Sequence, residues 1–338
     1  MPLPSAWVPW KTPVMIEREL EVVSRGNRLC GSLCLPHEGS SPLVLMIHGS
    51  GPLDRNENIE GLELNIFNAI AYELAAQGIA SVRYDKRGCG QSEGDYYSAG
   101  YSDLVADAAA WIEFLQAAPY CGPLFLLGHS EGGLIASQVS LDYPQVAGLV
   151  LLCPFIARVD HILLQQARTL EQDMRTRPGI SGLLQRLLMR WGGGPVARQE
   201  KLVAVARQST TDTFRLRGQT YPARWFRELF ALESSDLYAR VGCPLLLIGG
   251  GKDIQCDPAG VHRIAALVNS KARVQTFPDL THILRSDEQV ASFQRYAELL
   301  QQPVDPAVLQ TISGWLAALS GSAADPVFRP RAAHQRLP

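Results

Sequence analysis

The architecture turns on one segment, Leu126-Leu127-Gly128-His129-Ser130-Glu131-Gly132-Gly133-Leu134. It is preceded by a continuous apolar run, Leu124–Leu127, and followed by a helix-forming stretch. Gly-x-Ser-x-Gly between a buried strand and the start of a helix makes a sharp turn that lifts the serine hydroxyl above the edge of a sheet. Gly128 and Gly132 are small because such a turn brings neighbouring backbone very close. The helix that opens after Ser130 aims its first N–H groups at any negative charge developing there. The backbone N–H of Glu131 is therefore expected to be one oxyanion donor, with Ser130 the nucleophile.

Working outward, Leu43–Ile47, Ala80–Tyr84, Leu124–Leu127, Val146–Cys153 and Leu245–Ile248 read as strands, with Val274–Phe277 a weaker sixth. Each is continuously apolar, as strands covered on both faces require. Helical periodicity lies between them. Leu104, Ala108, Trp111 and Leu115 share a face ahead of Pro119, and Val308, Ile312, Trp315 and Leu319 share another behind Asp305-Pro306. Asp as N-cap with Pro at the first helical position is a helix start. Strand and helix in alternation predict a mostly parallel sheet with helices on both faces. Arg18–Ser24 and Arg28–Leu35 flank Gly26-Asn27 and predict an antiparallel hairpin at the N-terminal edge of that sheet.

Residues 155–240 interrupt the alternation. They carry no strand signal, and Ile162–Leu170 and Leu183–Trp191 are amphipathic at helical spacing, ahead of a break at Gly192-Gly193-Gly194-Pro195. A strandless insertion of this length predicts a helical cap rather than a loop. Residues 18–154 and 241–320 then form the core, and residues 321–338, which lack periodicity, are expected to be a disordered tail.

Composition narrows the function. Of 338 residues, 46% are apolar and 19% charged, and the formal net charge is -2. No broad positive field exists for nucleic acid or anionic lipid. No apolar run approaches the roughly 18–20 residues that span a bilayer, and the N-terminus lacks the pattern of a secretory signal. The seven cysteines show no paired C-x-x-C spacing, so they read as reduced thiols in a cytoplasmic protein.

Five motifs in order carry a family resemblance. They are His48-Gly49-Ser50-Gly51-Pro52-Leu53-Asp54-Arg55-Asn56, Tyr84-Asp85-Lys86-Arg87-Gly88-Cys89-Gly90-Gln91-Ser92, the Ser130 turn, Gly249-Gly250-Gly251-Lys252-Asp253 and Leu280-Thr281-His282. From about Arg18 to Leu319, most of the cap excluded, the chain resembles the α/β-hydrolase superfamily, and within it serine esterases grouped with dienelactone-hydrolase-like and acyl-peptidase-like proteins. The resemblance implies the chain order nucleophile, acid, histidine. His334 falls in the expected tail and His262 on an apparent helix, which leaves His282 as base. Asp253 follows Leu245–Ile248 at the sheet edge where sites in open α/β sheets gather, and it is the favoured acid. Asp257 is the fallback, since it precedes Pro258 and reads better as a helix cap, and Asp279 reads as serving its own turn. The resemblance also implies a second oxyanion donor at the N–H of Ser50, or less favourably Gly51.

The chemistry expected of this set is hydrolysis of a carboxylic ester, thioester or lactone through an acyl-enzyme on Ser130, with no metal or organic cofactor. The partner is then a small acyl ester rather than nucleic acid or membrane. Acyl transfer or peptide cleavage would use the same acyl-enzyme, although a peptidase of this type is expected to carry a large extra domain. A non-catalytic binding protein on the same fold is the reading of another class. Asp54, Arg55, Asp85 and Arg87 are expected to form a mutual ion-pair network, and the Glu131 side chain to act as a structural hydrogen-bonder. The cap aromatics Trp191, Tyr221, Trp225, Phe226 and Phe230 line an acyl pocket or pack the core. They suit a medium acyl or aromatic ester, including one with a negative charge.

Overall fold

The computed structural model describes residues 15–177 and 179–321. The expected tail beyond them, His334 included, lies outside the described residues, as does the side chain of Trp191.

The chain opens with β1 (Ile16–Ser24), β2 (Asn27–Leu35) and β3 (Ser41–Ile47), then α1 (Ile66–Ala76), β4 (Ala80–Tyr84), α2 (Tyr101–Gln116), β5 (Cys121–His129), α3 (Glu131–Ser140) and β6 (Gly148–Leu152). The insertion follows as α4 (Val159–Thr176), α5 (Gly179–Gly192), α6 (Pro195–Gln208), β7 (Thr213–Leu216), β8 (Gln219–Pro222), α7 (Ala223–Ala231) and α8 (Ser234–Ala239). The core resumes with β9 (Leu245–Gly250), α9 (Gly260–Leu267), β10 (Ala272–Phe277), α10 (Tyr296–Leu299) and α11 (Pro306–Ser320). Eight strands form one sheet in the order β1-β2-β4-β3-β5-β6-β9-β10. β1 pairs with β2, and β2 with β4, antiparallel, while the remaining pairs are parallel. This is the α/β-hydrolase fold with an N-terminal hairpin.

Strand alternation sends apolar side chains to opposite faces. Val44, Met46, Phe125, Leu127, Val150, Leu246 and Ile248 meet Phe67 and Ile70 of α1 and Val308, Ile312 and Trp315 of α11. Their neighbours Leu43, Leu45, Ile47, Leu126, Leu149, Leu151, Leu245 and Leu247 meet α2, α3 and α9 through Trp111, Ile135 and Ile264. Continuous apolar strands are thus the consequence of two buried faces. Asp305 caps α11 as expected, its carboxylate accepting the Ala307 N–H at 2.8 Å.

The insertion departs from its expected form in one respect. Residues 155–240 contain a two-stranded hairpin, β7–β8, as well as helices. Its turn residues Arg217 and Gly218 both have positive φ (53° and 84°), the geometry that two-residue hairpins need. The short strands were illegible because Gln219 and Thr220 are polar and exposed, so no apolar run marks them. Helix α7 ties the insertion to α2. Arg224 pairs with Asp103 of α2 at 2.9 Å, and Glu228 accepts the Ser102 N–H at 2.7 Å.

Candidate active site

Ser130 sits between β5 and α3 with φ 52° and ψ −116°, a conformation costly for a residue with a Cβ. Its N–H donates to Leu152 O at 2.9 Å, which pins the turn to β6. The two glycines have a steric reason. A Cβ on Gly128 would lie 2.2 Å from Gly132 O, and one on Gly132 only 2.0 Å from Ile47 O, both backbone atoms held in ordered elements. Gly132→Ala is accordingly expected to destabilise the fold by about 3 kcal/mol or more, within the range of overpacked or strained sites. Urea unfolding checks this, and a loss below about 1 kcal/mol would contradict it.

Asp253 and His282 come together from the loops that follow β9 and β10. His282 Nδ1 lies 2.8 Å from Asp253 Oδ2, and both residues are buried. The other carboxylate oxygen, Oδ1, accepts the N–H groups of Gln255 and Cys256, each at 2.8 Å, so the carboxylate is fixed in one orientation. A carboxylate on Nδ1 leaves Nε2 as the nitrogen free to take a proton. Among the described residues no hydrogen bond joins Ser130 Oγ to the His282 ring; the Ser130 hydroxyl faces the Cys256 thiol. The rival acids are engaged elsewhere. Asp257 accepts the Ala259 N–H at 2.9 Å and pairs with Arg263, while Asp279 lies 3.4 Å from Lys252.

Around Ser130 the backbone donors are differently occupied. The Gly49 N–H is committed to Glu57 Oε1 at 2.8 Å. Neither the Ser50 nor the Glu131 N–H has a protein acceptor among the described residues, whereas the Gly51 N–H faces the Tyr96 hydroxyl. Of the expected donors, Ser50 and Glu131 thus remain available to a ligand, and Gly51 is spoken for.

Two buried networks hold these loops; sequence reasoning missed the first and, of the second, foresaw only the structural part of Glu131. Glu57, in the left-handed region at φ 64°, is fully buried against His129, with His129 Nδ1 2.8 Å from Glu57 Oε2. His129 Nε2 lies 3.0 Å from the His282 carbonyl oxygen. With the Glu57 carboxylate ionised, both ring nitrogens face acceptors, and the pair favours the imidazolium form of His129. Burial by itself would push the Glu57 carboxyl up, but His129 and the Gly49 N–H hold it below the ordinary carboxylate value. Burial likewise opposes charge on His129, and Glu57 together with the His282 carbonyl outweighs it and raises the imidazole. One ion pair therefore joins the loop after β3, the residue before Ser130 and the backbone of His282. Nothing in the sequence linked Glu57 to position 129, because the contact spans 72 residues and depends on a left-handed loop residue.

The second network confirms a structural part for Glu131 and adds its partners. Its carboxylate accepts from the Trp225 indole N–H of the cap and lies 3.5 Å from Lys86 Nζ, which also donates to Gly49 O at 2.6 Å. The expected mutual network of Asp54, Arg55, Asp85 and Arg87 is only partly formed. Arg55 does pair with Asp85, at 2.7 Å. Arg87 pairs with Asp107 of α2 instead, and Asp54 accepts the N–H groups of Asn56 and Asn58. Among the cap aromatics, Phe226 and Phe230 are buried core residues with ring centroids 5.6 Å apart. Tyr221, Trp225 and Phe226 share a cavity of about 780 Å³ with Pro52, Tyr96 and Tyr97, next to the loop that carries Ser50.

Known proteins share this fold. Esterase EstD of Thermotoga maritima is 26% identical over 293 residues, which is 86% of this chain and 66% of that protein, so the chain spans just under two thirds of its length. Est1E of Butyrivibrio proteoclasticus, in its structure with ferulic acid bound, superposes with a TM-score of 0.60 at 16% identity over 89% of this chain and 99% of that one. A proline iminopeptidase of Mycobacterium smegmatis superposes with a TM-score of 0.57 at 14% identity over 90% of this chain and 100% of that one. The family model for serine aminopeptidases of the S33 group matches residues 61–289, from α1 across Ser130, Asp253 and His282, and the chain belongs to that family of α/β-hydrolases.

Proposed function

We propose that the protein is an esterase that cleaves a carboxylic ester through an acyl-enzyme on Ser130. The observation that carries this reading is the buried His282–Asp253 pair at 2.8 Å, with the carboxylate locked by two N–H groups, next to a serine held in a left-handed elbow. His282 takes the Ser130 proton as Oγ attacks the acyl carbon, returns it to the leaving alcohol, and then activates water for deacylation. Asp253 holds the Nδ1–H tautomer and stabilises the imidazolium without accepting the proton. The N–H groups of Ser50 and Glu131 receive the negative oxygen, and losing one such donor costs about 3 kcal/mol of transition-state stabilisation. The esterase relative supports ester cleavage as the reaction. We further assign residues 155–240 as a cap over the site, and we place the enzyme in the cytoplasm because its seven cysteines are all unpaired thiols. No helix among the described residues is long and apolar enough to cross a membrane.

The aromatic cavity favours an aromatic or medium-length acyl ester. Its lining contains Asp95 and no Lys or Arg, whereas the cavity of about 650 Å³ that reaches Asp253 is lined by Arg168 and Arg263, so the anionic class of substrate stays open. Ethyl esters of neutral aromatic acids are expected to show kcat/KM at least about tenfold above straight short-chain esters, about 1.4 kcal/mol of differential binding. Faster turnover of the short-chain series would remove the aromatic assignment.

Peptide cleavage is the second reading, and one earlier objection to it fails. The iminopeptidase structure is matched over its whole length by this chain, so peptidases of this fold do not require a large extra domain. Asp95, at the cavity, is a carboxylate that an amino terminus could meet. Release of p-nitroaniline from aminoacyl p-nitroanilides at rates rivalling ester cleavage would favour this reading over the first.

A further inference from the structure

Two thiols stand beside the histidine proposed as base, and neither has a part in the acyl-enzyme cycle. Cys153 and Cys256 are both buried, and Cys153 adopts φ 47° to reach its position. Two sets of side chains at this point present ligand atoms within 4.8 Å of one another: Asp253, Cys256 and His282, and His129, Cys153 and His282. The second set is unavailable to a metal, because both nitrogens of His129 are already engaged by Glu57 and the His282 carbonyl. In the first, His282 Nδ1 and Asp253 Oδ2 are bonded to each other at 2.8 Å, the Cys256 thiol faces Ser130 and the Cys153 thiol faces Asp253, so the side-chain contacts a bound ion replaces lie within the site itself.

We infer that Asp253, Cys256 and His282 form an inhibitory site for a thiophilic divalent cation, Zn²⁺ above all. The inhibition, though not the binding, rests on the reading of His282 as the base. Donor chemistry selects the ion. One sulfur, one imidazole nitrogen and one carboxylate oxygen suit Zn²⁺, whereas Mg²⁺ and Ca²⁺ prefer oxygen alone. Charge balance favours it as well. A dication in a buried pocket needs two anions, which the Asp253 carboxylate and the Cys256 thiolate supply, leaving a neutral imidazole and no net charge.

The geometry is close to what is needed. Tetrahedral ligands at about 2.0–2.3 Å from Zn²⁺ lie roughly 3.5 Å apart. Donor atoms already within 4.8 Å of one another need to move by about 1 Å to reach that spacing. The N–H groups of Gln255 and Cys256 already orient the Asp253 carboxylate, the kind of support that metal-bound carboxylates require. The Ser130 hydroxyl stands beside the Cys256 thiol, so that hydroxyl or a water is the fourth ligand within reach. In the binding step, Zn²⁺ forms bonds to Cys256 Sγ, one Asp253 oxygen and one ring nitrogen of His282. The thiol proton leaves to the buffer, and the single imidazole proton resides on the other ring nitrogen. His282 then has no lone pair to offer Ser130, and turnover stops until a chelator removes the ion.

The test is titration of the metal-free protein with Co²⁺ and Zn²⁺, beside Cys256→Ser and Cys153→Ser variants. The expected result is one Co²⁺ per chain with a thiolate-to-cobalt charge-transfer band that Zn²⁺ displaces. Cys256→Ser is expected to lose the band and at least about 100-fold in Zn²⁺ affinity, whereas Cys153→Ser keeps both. Ester turnover, read against each protein's own metal-free rate, is expected to be Zn²⁺-sensitive in the wild type and restored by EDTA. A band that survives Cys256→Ser, or Zn²⁺ affinity equal in wild type and variant, would overturn the site. Cys256-dependent binding with undiminished turnover would keep the metal site and instead remove His282 from its role as base.

Discussion

Ser130→Ala is expected to lower kcat for any ester the wild type accepts by about four to six orders of magnitude, while KM changes by less than about tenfold. That loss corresponds to about 5–8 kcal/mol of transition-state stabilisation. The reason is that the substitution removes the covalent route altogether. What remains is attack by water, helped by the N–H groups of Ser50 and Glu131 and by substrate binding. The variant should fold normally, because Ser130 is held by its backbone N–H to Leu152 O and its hydroxyl meets the weakly bonding Cys256 thiol. His282→Ala is expected to match it closely rather than add to it, since base and nucleophile act as a unit. Steady-state kinetics of the two single variants and the double variant check this, and additive losses would mean that the two residues do not cooperate.

The second large effect concerns a residue that never touches substrate. Glu57→Gln is expected to destabilise the protein by about 3–5 kcal/mol, the usual consequence of breaking one side of a buried ion pair. It should also lower kcat more than it raises KM, because the Gly49 loop and the His282 backbone both lose their shared anchor. The pH dependence identifies the cause. Glu57 is held below its ordinary 4.5, so its contribution is present above 4.5 and is lost as pH falls through the lowered value. His129 is held above its ordinary 6.5, so its contribution is present below 6.5 and is lost as pH rises through the raised value. The stability gap between wild type and Glu57→Gln should therefore be widest between pH 4.5 and 6.5 and narrow on either side. Urea unfolding across that range measures it, and a gap flat with pH would show that Glu57 acts through packing alone.

The contrast between Ser130 and Glu57 shows what the sequence made legible. The elbow could be read because its signals are local. A buried strand, two glycines and a helix start lie within nine residues, and each glycine answers a backbone contact near 2 Å. The sheet was legible for the same reason, since β3, β5, β6 and β9 each carry an unbroken apolar run, whereas β10, with Arg273, Gln275 and Thr276, gave only a weak signal. Asp253 and His282 were singled out by the order that the family resemblance implies and by their places after β9 and β10, and the structure brings them within 2.8 Å of each other. Glu57 was illegible because an acid in a polar loop looks solvated, and its burial depends on a loop turning through φ 64°. His129 looked like an arbitrary residue of the elbow for the same reason. Trp225 was seen as an aromatic, but its indole contact with Glu131 depends on how α7 docks against the core. The hairpin β7–β8 escaped because its strands are short and partly polar. In each case the missing information was a tertiary neighbour rather than a local propensity.

The central claim is that Ser130 is an activated nucleophile, and labelling with a fluorophosphonate probe tests it most directly. Intact mass after exposure of the purified wild type, beside Ser130→Ala, gives the answer. One adduct on the wild type and none on Ser130→Ala is the predicted result. A folded wild type that takes up no probe, or a Ser130→Ala protein labelled as readily as the wild type, would contradict the account.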